Sequence, residues 1–381
     1  MTRTLSPIFR PLTVRSLELR NRIVMSPMTR SHSPDGVPGA DVAEYYRRRA
    51  AGGTGLIVTE GVAIDHPTAV DNPKVPHMYG DDALDGWRRV VDAVHAEGGR
   101  IVPQLWHVGP LWGAMTRDID PDLVPMRPSG LWGEPGVTSY PDSYVEYGSK
   151  PVRPMTEQDI ADVVDAYARA ARAAIDVGFD GIALHGGHGY LLDSFLWDST
   201  NRRDDEWGGD LQRRTRFPSA VVAAIRAAIG EDAPIFFRFS QHKQQNYEAR
   251  IARTPDELRV ILTALAEAGV DVFDASIRRF DYPAFEGSDL SLAGWAKELT
   301  GAVSMAVGSV GIAKSLRESR VDGAAPTRDN IPELERRLGD GEFDLIAIGR
   351  LHLADPALAT TLRDGDTLPE FDRAVHEASL T

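Results

Sequence analysis

Short runs of apolar, often β-branched residues recur along the chain and alternate with longer stretches in which apolar positions return every three or four residues. The first pattern suits strands and the second suits amphipathic helices. Eight runs stand out, at residues 22–25, 56–59, 100–105, 181–185, 235–239, 272–276, 303–307 and 345–348. Most are apolar along their whole length, which marks strands covered on both faces, as in a parallel sheet. Parallel strands need crossover connections, and the helical stretches between the runs supply them. Eight strands with intervening helices predict an α/β fold, a (β/α)8 TIM barrel, in preference to an open doubly wound sheet.

The helices carry their own punctuation. Thr156 with Asp159 predicts a capped start, and Gly178 predicts a left-handed stop. Thr254, Pro255 and Glu257 predict a second start, which runs to Gly269. Two segments exceed a minimal barrel. Residues 8–19 alternate like a hairpin that closes the barrel bottom, and 110–154 form a long loop rich in Pro, Gly, Tyr and Trp over the site. A polar stretch at 241–253 reads as part of a lid or an interface. No repeat or linker divides the chain, so residues 1–381 are expected to form a single domain.

Acidic residues outnumber basic ones, 56 to 42, for a net charge of −14, and the arginines are scattered. A nucleic-acid partner is therefore not expected. Residues 1–10 lack the apolar core of a signal peptide, and no later run is long enough to span a bilayer, so a cytoplasmic location without membrane attachment is expected. The chain has no cysteine. That removes disulfides, thiol nucleophiles, Cys-ligated zinc and iron–sulfur clusters at once.

In a barrel of this kind, chemistry gathers where strands end. Those positions hold Pro27, Met28 and Thr29; Glu60 and Gly61; Gln104, Trp106 and His107; His185, His188 and Tyr190; Arg238; Ser276; Gly308 and Ser309; and Gly349 and Arg350. Gly308 and Arg350, after the last two strands, combine close backbone approach with a cation, as a phosphate site requires. His185, His188 and Tyr190 share one glycine-rich loop. Imidazole N–H groups can hold a carbonyl oxygen as it becomes negative, and a phenol can give a proton. A structural glycine loop and a two-His metal site are the alternatives at this point. Gln104 and Arg238 offer an amide and a cation suited to the pyrimidine edge of a flavin.

The segment from His185 to Leu196, HGGHGYLLDSFL, followed by NRRDDEWGG from Asn201, resembles the signature of the Old Yellow Enzyme family. Pro27-Met28-Thr29-Arg30, Thr59-Glu60-Gly61, Gln104-Leu105-Trp106-His107 and Gly349-Arg350 fall in the same order, so the resemblance covers nearly the whole chain. It implies FMN as cofactor, reduced by NADPH or NADH, and hydride transfer from flavin N5 to an electron-poor alkene. It further implies that His185 and His188 bind the substrate's activating oxygen and that Tyr190 protonates the α-carbon. Thr29 would touch the flavin carbonyl. Pro27, Met28, Gly61, Gln104, Arg238, Gly308, Ser309, Gly349 and Arg350 would complete the FMN site, and Trp106 would shape the substrate pocket. His188 stands where many members have Asn, and Pro110 where many have Arg.

No metal is expected. Phe280 and Tyr282, in the 278–285 loop, are expected on the substrate pocket wall, and Arg278 and Arg279 are candidates for the 2′-phosphate of NADPH. Other reactions stay open: nitro-compound or nitrate-ester reduction, redox isomerisation, or hydrolysis using the two histidines with a metal or with nearby carboxylates such as Glu60. A homodimer through the outer helices is compatible with the fold.

Overall fold

The computed structural model describes residues 6–116, 120, 122–315, 318 and 324–380. Its strands in chain order are β1 (Leu12–Val14), β2 (Leu17–Leu19), β3 (Ile23–Met25), β4 (Leu56–Ala63), β5 (Ile101–Trp106), β6 (Ile182–His185), β7 (Ile235–Ser240), β8 (Val272–Ser276), β9 (Val303–Val307), β10 (Ala324–Ala325), β11 (Leu345–Ile348) and β12 (Phe371–Asp372). Eight of them close a parallel barrel in the order β11-β3-β4-β5-β6-β7-β8-β9. These are the eight apolar runs read from the sequence. The largest difference is β4, which continues four residues past 59 through Thr59, Glu60 and Gly61, with a register shift between Val58 and Gly61. The polar Thr59 and Glu60 broke the apolar run, yet both are buried, Thr59 accepting from Gln104 N and Glu60 from the backbone of Arg30 and Ser31.

The antiparallel hairpin β1–β2 is present at 12–19. Val14, Leu17 and Leu19 pack with Val24, Leu56, Val102, Phe236, Val272 and Met305 in one apolar cluster, so the hairpin stops the bottom of the barrel. A second, larger cluster lies between strands and outer helices. It includes Ile160, Val163 and Tyr167 of the helix Glu157–Val177 with Val221, Val222 and Ile225 of the helix Arg216–Ile229. The capping at Thr156 is reciprocal: its hydroxyl accepts from Asp159 N, and Asp159 accepts from Thr156 N. Gly178 ends that helix at φ 110°. Thr254 caps Pro255–Ala268, but the Glu257 carboxylate accepts from Arg253 N, one residue before the cap.

The 110–154 segment is anchored by a short helix, Asp142–Gly148, and by Trp132 and Tyr144, both 1% exposed. No helix among the described residues is long and apolar enough to cross a membrane.

Candidate active site

At the C-terminal ends of the strands lies a cavity of ≈ 350 Å³. Its wall includes Pro27, Met28 and Thr29 from the loop after β3, His185, His188 and Tyr190 after β6, Arg238 in β7, Ser276 in β8, Gly308 and Ser309 after β9, and Gly349 and Arg350 after β11. Most residues singled out in the sequence therefore converge on one space.

Three rings build one wall. His185 Nε2 and His188 Nδ1 are hydrogen-bonded at 2.9 Å, and His188 Nε2 meets Ser276 Oγ at 2.8 Å. His188 has φ 64°, a left-handed conformation held by its N–H donating to Ser240 Oγ and by Gln244 N donating to its carbonyl. Both imidazoles keep a face on the cavity, yet burial, with Arg238 nearby, pulls them well below the usual histidine range, so both are neutral. The Tyr190 ring stands 4.5 Å from His185 and 5.0 Å from Trp106, edge-on to each.

The loop bearing these rings is stitched down beneath. Asp193 accepts from Gly189 N at 2.6 Å and pairs with Lys243 Nζ at 2.6 Å, with both charged side chains wholly buried. The pair joins the short helix Leu191–Leu196, which follows the loop after β6, to the loop after β7, and so secures the 241–253 stretch. That stretch brings His242 and Gln244 to the cavity wall.

At the other end Gly308 has φ 144°, and a Cβ there would strike the Ile277 carbonyl. Arg350 donates to Ser309 Oγ at 3.1 Å, and burial lowers it to about 10, the mark of a cation held out of water. Arg238 pairs with Asp274 at 2.6 Å and reaches Ser26 Oγ at 3.0 Å. The loop after β3 is clamped by Glu60, whose Oε2 accepts from Arg30 N at 2.8 Å and Ser31 N at 3.0 Å. Burial raises Glu60 to about 7.

Gly61, Gln104 and Trp106 are not among the residues that line the cavity itself. Gly61 is opposite Gln104, and a Cβ on it would collide with the Trp106 ring. The Gln104 Nε2 and Asp274 Oδ1 atoms are buried with no hydrogen-bond partner among the described residues. Orphaned polar atoms of this kind are costly, and they fit a flat heterocycle that alternates donors and acceptors. With a glycine cradle and a desolvated arginine at the far end, the donor set suits FMN.

Two expectations are corrected. Phe280 does not line the cavity: it is fully buried and packs edge-on against Phe343. Tyr282 is 53% exposed, beneath Arg279. Arg278 does face the cavity, with its guanidinium 4.3 Å over the Tyr247 ring. Ser26, His242, Gln244 and Asp274 were not singled out from the sequence. For Asp274 a signal existed, a lone carboxylate in the otherwise apolar run VFDAS. Among the described residues, no three His, Asp or Glu side chains come together as a metal set.

The model of the NADH:flavin oxidoreductase / NADH oxidase family matches residues 7–368. Flavin oxidoreductase hxnT of Emericella nidulans is 33% identical over 97% of this chain and 94% of its own length. Putative 12-oxophytodienoate reductase 2 of Oryza sativa subsp. japonica is 34% identical over 97% and 90%. The chain spans about half of some other relatives, 49% of a metal reductase of Desulforamulus reducens and 50% of an NADH oxidase of Thermoanaerobacter brockii. The solved structure of morphinone reductase superposes with a TM-score of 0.77 at 29% identity, covering 97% of this chain and 93% of that one. Barrel, site and matches agree, and the chain belongs to the NADH:flavin oxidoreductase / NADH oxidase family, the Old Yellow Enzyme family of flavoprotein oxidoreductases.

Proposed function

We propose that this chain is an FMN-dependent NAD(P)H ene-reductase, acting on the C=C bond of an α,β-unsaturated carbonyl or a related electron-poor alkene. The observation that carries this reading is the convergence of His185, His188 and Tyr190 on the cavity whose other end is built by Arg238, Gly308, Gly349 and Arg350. Gln104 and Arg238 would hold the flavin's pyrimidine edge, Thr29 its carbonyl, and Gly308, Ser309, Gly349 and Arg350 its phosphate. FMN, when bound, supplies a hydride carrier between the nicotinamide and the alkene. A solved relative carries tetrahydroNAD, which supports a nicotinamide reductant.

The histidine pair has the right protonation for its part. In the tautomer in which Ser276 donates to His188 Nε2, the His188 proton lies on Nδ1 and is donated to His185 Nε2. A carbonyl oxygen lodged between the two rings replaces their mutual hydrogen bond; it accepts from His188 Nδ1, and from His185 Nε2 once that ring shifts to the tautomer with its proton there. As hydride reaches the β-carbon, negative charge grows on that oxygen, and neutral donors in a desolvated pocket hold it without charge transfer in the ground state. Tyr190 then gives its phenolic proton to the α-carbon. Trp106 and His185 restrain the phenol ring from two sides.

The first test is the visible spectrum of the purified protein before and after anaerobic NADPH or NADH. A flavin band that bleaches is expected; a colourless protein that takes up no FMN would end this reading. Replacing Tyr190 with Phe is expected to spare the bleaching and to slow alkene turnover by roughly a hundredfold, the usual worth of a positioned acid. Product analysis separates alkene reduction from nitro or nitrate-ester reduction and from isomerisation.

A further inference from the structure

The family match ends at residue 368, yet the chain beyond it borders the cavity. Strand β12 pairs antiparallel with β10, and Phe371 is 1% exposed. The His376 ring stacks on Phe371. From there the backbone is held by side chains of another part of the fold. The Arg30 guanidinium donates through Nη2 to the carbonyls of His376, Glu377 and Ser379 at 3.3, 3.5 and 2.8 Å, and Arg48 donates to the Leu380 carbonyl at 2.8 Å. Arg30 belongs to the loop clamped by Glu60, so the chain end is tied to the same loop that carries Thr29.

This anchored segment delivers two charged side chains to the cavity wall beside Arg350: Arg373 and Glu377. They pair with each other, Arg373 Nε to Glu377 Oε2 at 2.8 Å. Among the described residues, Arg373 meets a partner only through Nε, which leaves its Nη pair to serve an anion. Glu377 is also the charge that most offsets the desolvation of Arg350. Arg350, Glu377 and Arg373 thus form one cluster at the glycine-cradle end. A lone carboxylate there would repel a phosphate, but Arg350, Arg373, Arg278 and Arg279 outnumber Glu377 and Glu318, which leaves a net positive site.

We propose that residues 371–380 are a retaining strap over the phosphate end of the FMN site, with Arg373 as a second cation for the phosphate and Arg30 as the catch. The proposal rests on the FMN-binding part of the function proposed above and not on the reaction catalysed.

The test compares FMN with riboflavin, which lacks the phosphate, by quenching of flavin fluorescence on flavin-stripped protein. Arg373 is exposed enough for R373A to fold. R373A is expected to weaken FMN roughly tenfold, as loss of one charge-assisted contact does, to speed FMN release, and to leave riboflavin unchanged. E377Q is expected to tighten FMN a few-fold and again to leave riboflavin alone. Unchanged FMN affinity in R373A, or equal weakening of FMN and riboflavin, would overturn the proposal. A wild-type protein that binds neither flavin would overturn it together with the flavoenzyme reading, whereas FMN binding without alkene turnover would count only against the ene-reductase reaction.

Discussion

At the scale of single residues, the site is set by partners that fix protonation and direction. Among the described residues the Ser276 hydroxyl meets His188 and no other side chain, which makes it a sensitive probe. Serine 276 to alanine (Ser276→Ala) frees the His188 tautomer and is expected to raise KM for an enone a few-fold to tenfold, with the rate of flavin reduction unchanged; stopped-flow measurement of the two half-reactions separates them. An equal loss in both would assign Ser276 to the flavin instead. Residues of this kind explain what was legible in advance. His185, His188 and Tyr190 sit in a glycine-rich motif on a strand end, and their convergence could be read directly. Ser26, His242 and Gln244 are lone polar residues without a motif, and only the folded loops bring them to the cavity. Phe280 and Tyr282 show the opposite error. Aromatic content in a loop suggested a pocket wall, but a loop has no periodicity to say which ring turns inward, and the two rings went to the core and to solvent.

At the scale of elements, the strands were legible because burial on both faces demands uninterrupted apolar runs, and nine residues at their ends, four of them in β4, account for the shifts seen. The long connections were not, since they are held by particular side chains rather than by pattern. The Asp193–Lys243 pair is the clearest case, a contact across 50 residues between the helix Leu191–Leu196 and the loop after β7. Removing one member leaves a buried charge alone. Lys243→Met is expected to destabilise the fold by roughly 3–5 kcal/mol, and adding Asp193→Asn to recover part of that loss, both read from denaturant unfolding. Additive losses would mean that the two charges do not depend on each other. Since Asp193 also holds Gly189 N, the single variant should lower alkene turnover more than FMN affinity.

At the scale of the whole molecule, acid sensitivity is built in. His107, His185 and His188 lie well below the ordinary value, His242 falls to about 3 and His352 to about 4, in each case chiefly through burial. The unfolded chain takes up these protons as pH falls through about 6.5, while the folded chain refuses them, so stability is complete above that value and is lost below it. Each proton contributes roughly 1.4 kcal/mol per pH unit. Glu60, raised to about 7, acts in the opposite sense, binding its proton more readily when folded, as do Asp71, Asp193 and Asp274, but with His66 and His77 the histidines held low number seven. Thermal unfolding should therefore shift steeply downward between pH 6.5 and 4; a midpoint constant across that range would contradict the burial of these rings.

The barrel closes by laying β11 against β3, and Arg22 of the first strand region reaches the Asp344 carbonyl, 322 residues further along the chain. During synthesis, at roughly 5–20 residues per second, the first strand waits many seconds with one unpaired edge before its partner leaves the ribosome. The apolar segment at 23–25 is thus a natural client for a chaperone. Any shortened chain that loses 345–348 would leave a sticky open sheet, destined for aggregation, in place of a smaller enzyme.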